Sequence, residues 1–181
     1  MANLLTSFRL LLVIPVAWGF ADLNFLSPWV LFSLIVLAIA SDYFDGIVAR
    51  ATNTASAQGQ LFDHATDFLF VSSALGGLAV VGLIHPLLPA LIVVAFSQYV
   101  FDSYYLFKQK QLRMNFLGRW NGVFYFLPLL LIAISRLQFL SAIDELLHAA
   151  ASFIGYALIL TTIASIIDRL AAPLRKNKIS S

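Results

Sequence analysis

Cysteine is absent from the 181-residue chain, which excludes disulfides and thiolate-ligated metal centres and leaves the redox compartment open. Charge is scarce as well: Asp, Glu, Lys and Arg make up 11% of the residues, against about 25% in soluble domains. The few basic residues form no patch interleaved with aromatics, so the net charge of +2 and the pI near 9.0 do not indicate a nucleic-acid partner. No basic segment precedes the apolar start and no small-residue cleavage site follows it, so Met1–Phe20 reads as a retained helix rather than a signal peptide. Internal repeats, low-complexity tracts and domain-separating linkers are missing too, which implies one domain over residues 1–181. What is present is 61% hydrophobic with a mean hydropathy of +0.90, the composition of an integral membrane protein.

A spanning helix needs roughly 20 predominantly apolar residues. Six segments meet or approach this: Leu4–Phe20, Pro28–Ile47, Leu61–Ile84, Leu87–Phe107, Asn121–Ser135 and Ala149–Leu170. The fifth is short and is expected to extend. The expected fold is therefore all-α and polytopic, six transmembrane helices with a polar cavity at the cytoplasmic side. With six spans both termini share one side, and ten of the eleven Lys and Arg residues fall on or near it. Arg136 alone falls on the other. The positive-inside bias then puts both termini in the cytoplasm, and the expected location is a prokaryotic cytoplasmic membrane.

Four of the nine acidic residues crowd into one stretch, Asp42, Asp45, Asp63 and Asp67. Asp42 and Asp45 are three apart near the end of the second span; Asp63 and Asp67 are four apart at the start of the third. On helices both spacings put the pair on one face, and the short linker makes the two helices antiparallel neighbours. Four carboxylates can thus converge just inside the membrane. Helix capping or pairing with Arg50 in a solvated loop is the plainer reading, but the apolar residues around Asp42 and Asp63 disfavour it. Intramembrane ionisable groups are functional by default. Arg50 alone cannot balance four anions. A hard divalent cation can, and an oxygen-rich set suits Mg²⁺, Mn²⁺ or Ca²⁺ over zinc. Two ions bridged by shared carboxylates would suit phosphoryl chemistry. Gly46, Ala49 and Gly59 allow close helix approach or close approach of a phosphorylated ligand to the backbone.

Taken together these residues read Asp42-x-x-Asp45-Gly46-x-x-Ala49-Arg50, eight residues, Gly59, three residues, Asp63, three residues, Asp67. The pattern resembles the motif of the class I CDP-alcohol phosphatidyltransferase family at every specified position. The opening Asn3-Leu-Leu-Thr6-Ser-Phe-Arg9 and the later Gly118-Arg119-Trp120-Asn121 also look like segments of that family. The resemblance implies transfer of a substituted phosphate from a CDP-linked lipid donor, such as CDP-diacylglycerol, to the hydroxyl of a small polar alcohol, with release of CMP. It implies Asp42, Asp45 and Asp63 as metal ligands, and Asp67 as general base with some contact to metal. It places Gly46, Ala49, Arg50 and Gly59 along the cytidine diphosphate, with two Mg²⁺ or Mn²⁺ ions, and it suggests a homodimer.

The acceptor stays open. Phosphatidylglycerophosphate synthases usually read D-P-x-A-D-K across the last two aspartates; here the run is Asp63-His64-Ala65-Thr66-Asp67-Phe68, without the Pro and the Lys. Leu61-Phe62-Asp63-His64 instead resembles the L-F-D-H of choline and ethanolamine phosphotransferases, which use a CDP-aminoalcohol and diacylglycerol. His64 is accordingly a candidate proton-handling residue. Gln98 and Asp102, i and i+4 on the fourth span, are acceptor-site candidates expected to face the cavity, as are Arg113 and Arg119 beside the fifth. Lys108 and Lys110 read as headgroup anchors. A prenyltransferase would release pyrophosphate rather than CMP, and a divalent-cation transporter would need no Gly46, Ala49, Arg50 and Gly59 spacing.

Overall fold

The computed structural model describes residues 2–51, 57–102, 116–137 and 141–177; within helices the side chains of Asp45, Gly46, Ala49 and Arg50 also lie outside the described set. All regular structure among the described residues is helical. The elements are α1 (Ala2–Ala21), α2 (Pro28–Ala51), α3 (Ala57–Val80), α4 (Leu87–Phe101), α5 (Phe116–Phe124), α6 (Phe126–Ser135) and α7 (Asp144–Asn177), the last preceded by a single 3₁₀ turn at Ser141–Ile143.

Each boundary has a local cause. Ser27 and Pro28 open α2: the Ser27 hydroxyl accepts from the Val30 amide at 3.4 Å, and proline suits a first helical position. The third helix stops at Val80, four residues short of the Ile84 expected from hydropathy. Gly82 takes φ +76°, and its amide and that of Leu83 return to the Ala79 and Leu78 carbonyls at 3.1 and 3.0 Å. These two bonds satisfy the terminal carbonyls of α3 in a left-handed cap, a conformation that glycine adopts without penalty. The fifth expected span does extend, beginning at Phe116, but it breaks at Tyr125 into α5 and α6. Pro128 explains the break, because it cannot bond the Phe124 carbonyl and its ring crowds it. Asp144 and Glu145 occupy the first turn of α7, where the helix dipole favours anions.

Buried residues recur at three- and four-residue steps: Leu12, Val16 and Phe20 on α1, Leu31, Ile35 and Ala38 on α2, and Phe70, Ala74 and Leu78 on α3. They join Leu129, Ile132 and Ala133 of α6 and Leu158 and Ile159 of α7 in one core. The outside is apolar as well. Along α7 the exposed stripe is Phe153, Tyr156, Leu160, Ile163, Ile167 and Leu170. A water-soluble bundle would present polar side chains there; hydrocarbon on both faces is the pattern of a membrane protein. Phe116–Ser135 and Asp144–Ala171 are long and apolar enough to cross a membrane, and Leu5–Ala21, Pro28–Phe44 and Leu87–Phe101 are shorter apolar helices.

Helix α1 lies against α3 closely enough that a Cβ on Gly77 would overlap the Ala17 carbonyl oxygen and come within 3.0 Å of Phe20 Cβ. Arg136, after α6, fastens the other end of α1. Its guanidinium donates to the carbonyls of Gly19 at 2.8 Å, Leu23 at 2.7 Å and Leu26 at 3.4 Å. Burial lowers its pKa from the usual guanidinium value. Together these contacts hold the first three helices in register, and that register positions the site.

Candidate functional site

The buried stripe of α1 continues towards its N-terminus through Arg9 and Thr6. Arg9 is wholly inaccessible, a cation on the core-facing side of an otherwise apolar helix. Such a group needs partners, because a buried unpaired charge is strongly destabilising. It finds them on α2 and α3. Nη1 donates to Asp67 Oδ1 and, at 3.3 Å, to Asp63 Oδ1. Nη2 lies 3.3 Å from Asp42 Oδ1. Nε donates to Ser41 Oγ at 3.4 Å, and that hydroxyl in turn donates to the Ala38 carbonyl at 2.8 Å.

Asp42, Asp63 and Asp67 therefore meet at one point, as the i, i+4 spacing of the last two and the short linker anticipate; the side chain of Asp45, the i, i+3 partner of Asp42, lies outside the described residues. The side chains of Asp42, Asp63 and Asp67 keep 43%, 29% and 27% of their exposure, so the cluster opens to one side while Arg9 closes it from the other. Among these described groups, three carboxylates and one guanidinium sum to a net charge of −2. His64 belongs to the same group: donor atoms of Asp63, His64 and Asp67 lie within 4.8 Å of one another, and His64 Nδ1 is 3.9 Å from Asp63 Oδ2. A residual charge of this size, carried on hard oxygen donors with one imidazole beside them, fits a divalent cation. One atom is also left over: Arg9 Nη2 is buried and makes no hydrogen bond, because its approach to Asp42 is out of line.

The wall beside the cluster comes from α4 and α7. The Tyr99 ring lies 6.3 Å from His64, and the Arg169 guanidinium sits 4.9 Å above that tyrosine. Phe68, where the phosphatidylglycerophosphate synthase pattern has Lys, stacks on Phe96 at 4.3 Å and serves the packing of α3 on α4. Gln98 and Asp102 share a face, but it is turned to α7. Gln98 Nε2 donates to the Ile166 carbonyl at 3.2 Å, and Asp102 lies in the field of Arg169. Arg119 is exposed on α5, and Gly59 sits one turn before Asp63 in α3. Asp45, Gly46, Ala49 and Arg50 are carried by the last turns of α2, but their side chains, and all of Arg113, lie outside the described residues.

Reading the motif alone undervalues Arg9. It counts towards the positive-inside bias and the family-like opening, whereas the fold makes it the hub of the carboxylates. Its signal was available: a lone cation at helical spacing from Leu12 and Val16 faces the core. Arg169 gives a weaker signal, since only the packing of α7 on α4 distinguishes it from a juxtamembrane charge.

A helical membrane protein with a part-buried carboxylate cluster, bridged by a buried cation on adjacent helices, is the class defined so far. The family profile for CDP-alcohol phosphatidyltransferase matches residues 1–164, and the chain belongs to that family. Over 93 residues it is 31% identical to the CDP-diacylglycerol–glycerol-3-phosphate 3-phosphatidyltransferase of Mycoplasma genitalium. That stretch is 50% of this chain and 39% of the relative, so the chain spans about two fifths of the relative's length.

Proposed function

We propose that the protein transfers a phosphatidyl group from a CDP-linked lipid donor to the hydroxyl of a small alcohol, releasing CMP, in phospholipid synthesis. The observation that carries this reading is the meeting of Asp42, Asp63 and Asp67 around Arg9 in a chain of this family. Asp42, Asp63 and Asp67, with Asp45 from the same turn of α2 as the motif requires, hold two divalent ions, Mg²⁺ or Mn²⁺. Once bound, the ions neutralise the diphosphate and stabilise charge at the reacting phosphorus. The protein's own groups do the rest. Asp67 accepts the proton of the acceptor hydroxyl. The freed oxygen attacks the phosphorus that carries the lipid, and the bond from that phosphorus to the CMP oxygen breaks. Asp67 is suited to this because its carboxylate is partly exposed at the open side of the cluster, and a base must come within about 2.6–3.2 Å of the proton it takes. Gly46, Ala49, Arg50 and Gly59 line the nucleotide.

Glycerol 3-phosphate is the leading acceptor, on the strength of the relative's activity. The missing Pro and the Phe68 in place of Lys count against it, and the acceptor panel below decides. Gln98, whose Oε1 is buried without a hydrogen-bond partner, Asp102, Arg113 and Arg119 are the candidates for acceptor contact by sequence position, with Gln98 and Asp102 turned to α7. A CDP-aminoalcohol phosphotransferase is the second reading, supported by the placement of His64 against Asp63 and Asp67. The reading extends to one domain crossing the membrane six times with both termini cytoplasmic, as a homodimer. The apolar outer faces support the spans, and the Lys and Arg bias supports the orientation.

The test is an acceptor panel. Purified protein with Mg²⁺ or Mn²⁺ receives CDP-diacylglycerol and, separately, glycerol 3-phosphate, inositol, inositol phosphate or serine, and CMP is quantified. CDP-choline and CDP-ethanolamine with diacylglycerol run in parallel. Acceptor-dependent CMP from CDP-diacylglycerol supports the first reading; turnover only with the CDP-aminoalcohols replaces it with the second.

A further inference from the structure

We infer that Arg9 competes with the divalent metal for the motif's carboxylates, and that its displacement supplies a guanidinium to the diphosphate of the donor. The inference deepens the proposed function and rests on its assignment of Asp42, Asp63 and Asp67 to the metal. Arg9 contacts the Oδ1 atom of each of those three residues. A guanidinium cannot shed its charge at any accessible pH. Metal entering this cluster therefore meets a fixed, fully buried cation on the oxygens it needs. The guanidinium has to yield those oxygens at least in part.

The surroundings give it an anchor and a task. Nε is held through Ser41, which is tied to the Ala38 carbonyl, so the side chain has a pivot outside the carboxylates. Nη2 is buried, makes no hydrogen bond, and already points away from an in-line contact with Asp42. A planar fork of donors beside a cluster that binds a diphosphate matches phosphate oxygens in geometry as well as charge. Metal alone is then opposed by Arg9, whereas metal and diphosphate together satisfy both partners. Reciprocal linkage makes each raise the affinity for the other.

The experiment is Mn²⁺ binding followed by electron paramagnetic resonance on the full chain in nanodiscs, without and with CDP. Each titration is corrected for Mn²⁺–CDP complex in protein-free buffer. Arg9→Gln is expected to bind Mn²⁺ alone at least roughly tenfold more tightly than wild type, from removal of a unit charge within a few ångström, and to lose most of the enhancement by CDP. Arg9→Lys, a point charge that cannot fork across three carboxylates, is expected to fall between them. If Arg9→Gln does not fold, the rise in Mn²⁺ affinity in Arg9→Lys decides the matter. Unchanged or weaker Mn²⁺ affinity in a folded variant overturns the competition, and an undiminished CDP enhancement overturns the role at the diphosphate. Failure of wild type to bind Mn²⁺ even with CDP would instead remove the metal assignment itself.

Discussion

Two adjacent glycines in α3 should respond to the same substitution in opposite directions. Gly77→Ala places a methyl group on the Ala17 carbonyl oxygen, within 3.0 Å of Phe20 Cβ and 3.1 Å of the Ala21 amide nitrogen. All three are backbone or Cβ atoms, so no rotamer change relieves the overlap and the helices must separate. Overpacking of this kind costs about 1–3 kcal/mol, only partly offset by the roughly 1 kcal/mol by which Ala exceeds Gly in helix propensity. Gly76→Ala meets nothing within 4 Å, so the propensity gain stands alone. At about 2–4 °C per kcal/mol for a chain of this size, the two variants should bracket wild type in a thermal unfolding series in one detergent. The functional consequence follows from the same geometry. The overlap falls at Ala17, Phe20 and Ala21, at the end of α1 away from Arg9, so Gly77→Ala should lose stability with little change in Mn²⁺ affinity. Equal shifts in the two variants would refute the close α1–α3 seating.

Two further predictions concern the register and the metal. Arg136→Gln leaves carbonyls at the end of α1 and in the following turn short of a charged donor, and should lower stability by about 1–3 kcal/mol; its Mn²⁺ affinity should match wild type, because the lost contacts lie at the opposite end of α1 from Arg9. Chelation with EDTA should stop CMP release, and Mg²⁺ or Mn²⁺ should restore it where Zn²⁺ does not, since the cluster offers oxygens and one imidazole in a chain without thiols.

Much of this arrangement is legible before any coordinates. Spacing alone predicts that Asp42, Asp45, Asp63 and Asp67 converge, because helical periodicity and a short linker leave few other geometries, and the described side chains of Asp42, Asp63 and Asp67 do so. Apolar length predicts the helices, and Gly82 and Pro128 are the residues that correct their limits. Hydropathy does not register a left-handed glycine cap or a proline that breaks one span into α5 and α6. The role of Arg9 was harder to see because charge counting treats a cation near a terminus as an orientation signal. Only its buried stripe with Thr6, Leu12 and Val16 distinguishes a core cation from a loop cation. The α4–α7 wall was least legible. The i, i+4 pairing of Gln98 and Asp102 fixes a shared face but not its direction, and contact with Ile166 and Arg169 depends on how α7 returns across the bundle.

Asp67 is the proposed base, within a carboxylate cluster proposed to hold metal. CMP release from CDP-diacylglycerol, measured beside Mn²⁺ binding in wild type and Asp67→Asn, tests it most directly. The predicted result is loss of acceptor-dependent CMP release in Asp67→Asn, with Mn²⁺ and CDP still bound. Full CMP release by Asp67→Asn, or pyrophosphate in place of CMP from the wild-type protein, would contradict it.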